Sequence, residues 1–220
     1  MMVDDEQVKK AVVDQLYWDS RVNAAEVGVE VADGAVTLKG WVPTLSARRA
    51  AETDAYTGAG VRSVNNELVV RHPPGIPQSR DDEISSRALE ALRWNPDIDA
   101  SSIDVSVAAG WVTLEGTVDA YWKKIRAEEL VTDVWGVTGV TNALGVVPSE
   151  SIDDQRIADD IIAALERNIH TDIDSVDVEV NNGVVFLSGV VPDSAAYVAA
   201  YHAAHYAAGV VDINNSPRIE

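Results

Sequence analysis

Apolar residues along this chain recur first at every fourth position, then at every second, and then the whole pattern begins again. Val8, Val12 and Leu16, then Ile84, Ala88 and Leu92, then Ile157, Ile161 and Leu165 keep one face of a helix apolar. Asp5, Asp81 and Asp154 open these stretches, and their carboxylates suit the free N–H groups of a helix start, which predicts N-caps. Strict alternation follows at Val27, Val29 and Val31, at Ile103, Val105 and Val107, and at Val176, Val178 and Val180. Period two predicts a half-buried strand. Asp33-Gly34, Ala109-Gly110 and Asn182-Gly183 then predict tight turns, where glycine takes positive φ at little cost.

A second strand alternates as Val36, Leu38, Gly40, Val42, as Val112, Leu114, Gly116, Val118, and as Val185, Leu187, Gly189, Val191. Gly40, Gly116 and Gly189 fall in phase with the core, which predicts close approach of a helix. A second helix carries small residues at matching places, Ala51, Ala127 and Ala200, then Ala55, Val131 and Ala204. Gly60, Gly136 and Gly209 are read as its C′ caps, leading into a third strand.

The repetition is internal. Gly34-Ala-Val-Thr-Leu-Lys-Gly40 recurs as Gly110-Trp-Val-Thr-Leu-Glu-Gly116 and as Gly183-Val-Val-Phe-Leu-Ser-Gly189. At one fixed distance after each comes Gly-Val-x-x-Val/Ile-x-Asn, beginning at Gly60, Gly136 and Gly209. Length varies only between copies, the signature of a triplicated unit. The expected domains are 1–72, 80–147 and 153–220, with a stiff Pro-rich linker over 73–79 and a short polar one over 148–152. The expected fold class is α+β: three tandem α-β-β-α-β sandwiches, each with two helices on one face of a three-stranded mixed sheet.

These residues resemble the BON family, named for bacterial OsmY and nodulation proteins. Its pattern has an acidic helix start, an alternating strand, Gly-x-Val-x-Leu-x-Gly-x-Val, a helix and Gly-Val-x-x-Val-x-Asn, and all three copies match. The resemblance implies osmotic or envelope stress, association with phospholipid, chaperone-like help to envelope proteins and, in some members, potassium binding. None of these is enzymatic, so it implies a non-catalytic binding or scaffold protein acting on a protein client or an envelope component. It also implies no catalytic residues and no cofactor.

Charge narrows the partners. The 220 residues carry a formal net charge of −19. It is graded, −3 and −6 over the first two copies and −10 over the third taken with Glu150 of its linker. A field of that sign argues against nucleic acid and disfavours anionic phospholipid. No apolar run approaches the roughly 18–20 residues of a membrane span. With no cysteine, disulfides and thiolate chemistry are excluded. Met1-Met2-Val3-Asp4-Asp5-Glu6 has neither the basic nor the apolar region of a signal peptide, so the cytoplasm is expected, or the periplasm for a processed chain.

Sequence motifs for hydrolases, kinases and dinucleotide enzymes are missing. All six tryptophans lie in the first two copies. Trp18 and Trp94 are equivalent, each two residues after the last apolar helix position, and Trp41 and Trp111 sit on the second strand out of phase with the core. The face they occupy is expected to receive a neighbouring copy, and after that a partner or lipid. Arg48-Arg49 and Lys123-Lys124 stand at equivalent helix starts. In the third copy Tyr197, Tyr201 and His205 form an i, i+4, i+8 stripe, expected to be an exposed contact surface, with surface decoration or packing between domains ahead of any metal role. His202 and His205 stand at i, i+3, near enough to share a metal, but no metal site is assigned. Asp172, Asp174 and Asp177 begin like a calcium loop without its glycine, and carry the alternative expectation of a K⁺ or Ca²⁺ sensor.

Overall fold

The computed structural model of the chain describes residues 4–71, 79–167, 176–191 and 194–219. The first copy comprises α1 (Asp5–Trp18), β1 (Val27–Ala32), β2 (Ala35–Val42), α2 (Leu45–Thr57), β3 (Ser63–Asn66) and β4 (Val69–Val70). The second comprises α3 (Asp81–Trp94), β5 (Ile103–Ala108), β6 (Trp111–Val118), α4 (Tyr121–Thr132) and β7 (Gly139–Val146). The third comprises α5 (Asp154–Glu166), β8 (Val176–Asn181), β9 (Val184–Val191), α6 (Ser194–His205), β10 (Asp212–Asn215) and β11 (Arg218–Ile219). This is the expected α+β arrangement, repeated three times.

In each sheet the second strand is central, with orders β1-β2-β3, β5-β6-β7 and β10-β9-β11. The hairpin pairs antiparallel, Val29 facing Leu38 and Val178 facing Leu187. The last strand pairs parallel, Val36 facing Val64 and Val185 facing Ile213. A parallel neighbour needs a crossover, and the second helix supplies it. The last strand is not always one piece: it breaks at Asn66-Glu67-Leu68 and Asn215-Ser216-Pro217, while β7 runs through. By its contacts the chain divides into two compact units, Met1–Ala91 with Ser106–Thr113 and Leu130–Thr141, and Leu92–Val105 with Leu114–Glu129 and Asn142–Glu220.

In the first unit, Val8, Val12 and Leu16 share one core with Val36, Leu38, Val42, Ala51 and Ala55. The small residues of α2 therefore let it close on α1, not on Gly40 as its phase in the strand suggested. Gly40 has φ +119, and a Cβ there would overlap the carbonyl oxygen of Glu26, the last residue of the 3₁₀ turn Ala24–Glu26. Backbone approaches this glycine; α2 does not. Nor is Gly60 the C′ residue of α2. Gly58 caps that helix with extended backbone (φ −64, ψ 131), and Val61 N–H donates to Gly58 C=O at 3.2 Å. Gly60, at φ +87, is the third residue of that turn, where a type II turn requires positive φ.

The expected N-cap role of the aspartates is likewise corrected. Asp5 lies inside α1, one residue past its N-cap Asp4, and its carboxylate turns away from its own helix. It accepts the backbone N–H groups of Asp33 and Gly34, both at 3.0 Å. Asp81 does the same for Ala109 and Gly110, at 2.8 and 2.9 Å. The reason lies in the turn: Asp33 and Gly34 (φ 51 and 76) and Ala109 and Gly110 (φ 52 and 79) are successive left-handed residues, whose amides converge on one anion.

In the second unit, Ile157, Ile161 and Leu165 are buried with Val185, Leu187, Val191, Ala200 and Ala204. Asp154 accepts from Asn182 and Gly183 at 2.8 and 2.9 Å, while Asp153 is the true N-cap of α5. Gly116 (φ +117) repeats the close approach, to the Ser102 carbonyl, and Gly189 has φ +111. Gly136 (φ +101) and Gly209 (φ +84), too, stand several residues beyond the ends of α4 and α6 rather than at C′.

Candidate interaction surfaces

Trp111 opens β6 and lies flat on Gly139 of the neighbouring strand, where no side chain could coexist with its six-membered ring. Its Nε1–H donates to Thr141 Oγ1 at 2.8 Å, which fixes the indole along β7. The ring stays half exposed, and with Leu45, Arg48, Arg49, Glu52 and Val140 it lines a cleft of about 250 Å³. Arg48 is held there by donating to the Asn66 carbonyl at 3.0 Å. Trp41 is half-buried and donates to Glu26 Oε2 at 2.9 Å, so its edge is satisfied by its own hairpin. Trp18 and Trp94, at the ends of α1 and α3, are each 80% exposed, far outside the core their helices serve. Tyr17 meets Trp18 edge-on at 5.7 Å.

The stripe on α6 is not exposed; of the two expectations for it, packing against another copy is the one the structure shows. His205 is only 8% exposed, and Tyr197 and Tyr201 are half-buried. The cause is Tyr121 at the start of α4, a residue the sequence reading did not single out. It packs into the core of the third copy, and its ring meets His205 edge-on at 5.7 Å. The Tyr121 and Tyr201 hydroxyls share a hydrogen bond, and burial pushes both phenols above their ordinary range. The available signal was position: Tyr121 stands where the first copy has buried Leu45. His202 remains exposed, and among the described residues no group of three His, Asp or Glu could hold a metal ion. Of the proposed cation ligands, Asp172 and Asp174 lie outside the described residues, and Asp177 is exposed on β8.

One staple distinguishes the third copy. Asn66 Nδ2 donates to Arg48 C=O and Glu52 Oε2, both at 3.0 Å, and its Oδ1 accepts Leu68 N–H at 3.2 Å. Asn142 repeats this with Lys124, Glu128 and Leu144. In the third copy residue 217 is proline, which has no N–H, and Asn215 Oδ1 is buried without a hydrogen-bond partner. Tyr197, in the place of Arg48, reaches over to donate its hydroxyl to the Asn215 carbonyl at 3.4 Å. Pro217→Leu restores the missing donor and is expected to stabilise the third copy by about 1 kcal/mol, read as a raised unfolding midpoint.

A family model described as BON domain matches residues 4–72, 80–148 and 153–219. The chain is 29% identical over 147 residues to the 21 kDa hemolysin of Actinobacillus pleuropneumoniae, spanning 66% of this chain and 75% of that protein. It is 30% identical over 141 residues to Osmotically-inducible protein Y of Escherichia coli (strain K12), spanning 63% of this chain and 68% of that protein. Among solved structures it matches the C-terminal domain of CdsD, a structural protein of the type III secretion system of Chlamydia trachomatis, at 14% identity and a TM-score of 0.27, over 99% of this chain and 100% of that one.

Proposed function

The chain belongs to the BON family, and from that premise we propose that it is a non-catalytic binding or scaffold protein of the osmotic or envelope stress response, with its exposed tryptophans as the ligand-facing residues. The observation that carries this reading is how the three copies differ. The aspartate staples and the turn glycines recur in all three copies, and the asparagine tie from strand to helix in the first two. Large aromatics outside the core do not: Trp18, Trp94 and Trp111 have Arg167 and Val184 as their third-copy counterparts. A scaffold that keeps its skeleton and varies its exposed aromatics is built to present different surfaces. Likeness to Osmotically-inducible protein Y supports osmotic stress as the setting. A protein client or an envelope component is the partner favoured, because the charge of −19 opposes anionic lipid.

The test is complementation. Deleting the gene is expected to slow growth at high osmolarity, and the wild-type chain to restore it. A triple variant, Trp18→Ala, Trp94→Ala and Trp111→Ala, is expected to fold and to fail. Normal growth of the deletion strain sinks the stress role; full rescue by the triple variant sinks the tryptophan surface.

A further inference from the structure

His205 is a titratable group enclosed by aromatic rings. Tyr206 stands perpendicular to it at 4.6 Å, Tyr201 lies tilted at 5.4 Å, and Tyr121 meets it edge-on from α4 at 5.7 Å. Its Nδ1 is buried and has no hydrogen-bond partner. Beside it is a cavity of about 290 Å³, walled from α4 by Trp122, Ile125, Arg126 and Glu129. We propose that the packing of α6 on the Tyr121–Glu129 stretch of α4 is a proton-sensitive latch, which holds while His205 is neutral and loosens when its imidazole is protonated.

The chemistry is that of a missing acceptor. A neutral imidazole can leave one nitrogen bare, but an imidazolium carries a hydrogen on both. Protonation would therefore bury a cationic donor with nothing to receive it. The groups around it do little to offset that. From α4, Glu129 is the favourable charge, and it is already paired with Arg126 at 3.1 Å. From α6, His202 adds a like charge whenever it is protonated, with ring centroids 6.4 Å apart. Tyr121 and Tyr201 are neutral, and Glu128 and Asp212 bear on those phenols. Burial first, then His202, hold the His205 pKa below its ordinary 6.5. The packed state thus binds fewer protons than the open one. The latch is fully held above about pH 6.5 and weakens as pH falls below that value, by at most about tenfold in the closed-to-open ratio per pH unit. The weakening levels off once pH has passed the packed-state pKa.

Trp122 lines the same cavity and serves as the reporter. In the full chain, the His205 Cε1–H resonance is expected to titrate below 6.5, and the Trp122 indole N–H to move with the same midpoint. His205→Phe keeps a ring in place and is expected to abolish that movement, while His202→Gln keeps it. A His205 midpoint at or above 6.5, a Trp122 signal that follows pH unchanged in His205→Phe, or loss of the response in His202→Gln each overturns the latch. Should His205→Phe not fold, the wild-type midpoints still decide, because Trp122 failing to track His205 overturns it as well.

Discussion

Gly116→Ala is expected to destabilise the second copy by about 4 kcal/mol or more, enough to unfold a small sandwich. Two costs coincide at that residue. Its φ of +117 lies where an L side chain is strained, a cost of about 1–3 kcal/mol. Separately, a Cβ would overlap the Ser102 carbonyl oxygen and come within 3.3 Å of Ile103 Cα. Both belong to backbone where a 3₁₀ turn, Ala100–Ser102, passes into β5, so relief needs the strand itself to move. Gly145 on β7 is the control, because a Cβ there would meet Gly116 C=O at 3.7 Å, an ordinary contact, and its backbone is not left-handed. Gly145→Ala is expected to change stability by no more than about 0.5 kcal/mol. Tryptophan fluorescence during denaturant unfolding follows the first two copies selectively, since all six indoles lie there. Similar small losses in both variants would refute the close-approach reading.

That residue also marks the limit of what the sequence discloses. Val8, Val12 and Leu16, or Val36 and Leu38, declare their burial through spacing alone, because a helix or strand presents its core face at a fixed period. Periodicity says which face is buried but not what covers it. Gly116 was legible as a forced glycine, while its partner is a carbonyl of another segment that no local pattern encodes. The exposed reading of the Tyr197, Tyr201 and His205 stripe failed for the same reason. The stripe's counterparts Glu52, Thr53, Tyr56, Glu128, Glu129 and Thr132 read as a wet helix face, yet Thr132 is buried, and Tyr121, arriving from a different copy, covers His205 in the third. Trp18 and Trp94 were legible as equivalents, and their exposure follows from falling two residues past the last buried position of a helix. Trp111 needed Gly139, whose lack of a side chain acquires meaning only when the two strands are adjacent.

Asp81→Ala is expected to cost about 2–3 kcal/mol, the range for losing two charge-assisted hydrogen bonds, one of them to a part-buried donor. The carboxylate joins the first turn of α3 to the β5–β6 turn through Ala109 N–H at 2.8 Å and Gly110 N–H at 2.9 Å, partners 28 and 29 residues away in sequence. Water can replace it at the exposed Ala109 amide but less freely at the part-buried Gly110 amide. Asn, the isosteric choice, does not repair the loss, because its one oxygen can serve one amide while its NH₂ confronts the other donor. Asp82 separates this role from a general effect of negative charge at a helix start. It lies in the same turn of α3, so the helix dipole acts on it about equally, yet its carboxylate pairs with Arg80 on the surface, with both side chains about 70% exposed. Asp82→Ala should therefore cost no more than about 1 kcal/mol. Equal losses for the two substitutions would make the aspartate a helix-start charge after all. A larger loss at Asp81, with faster hydrogen exchange at Gly110, makes it the bond that closes helix onto hairpin, and the same substitution at Asp5 or Asp154 should then open the other two copies in the same way.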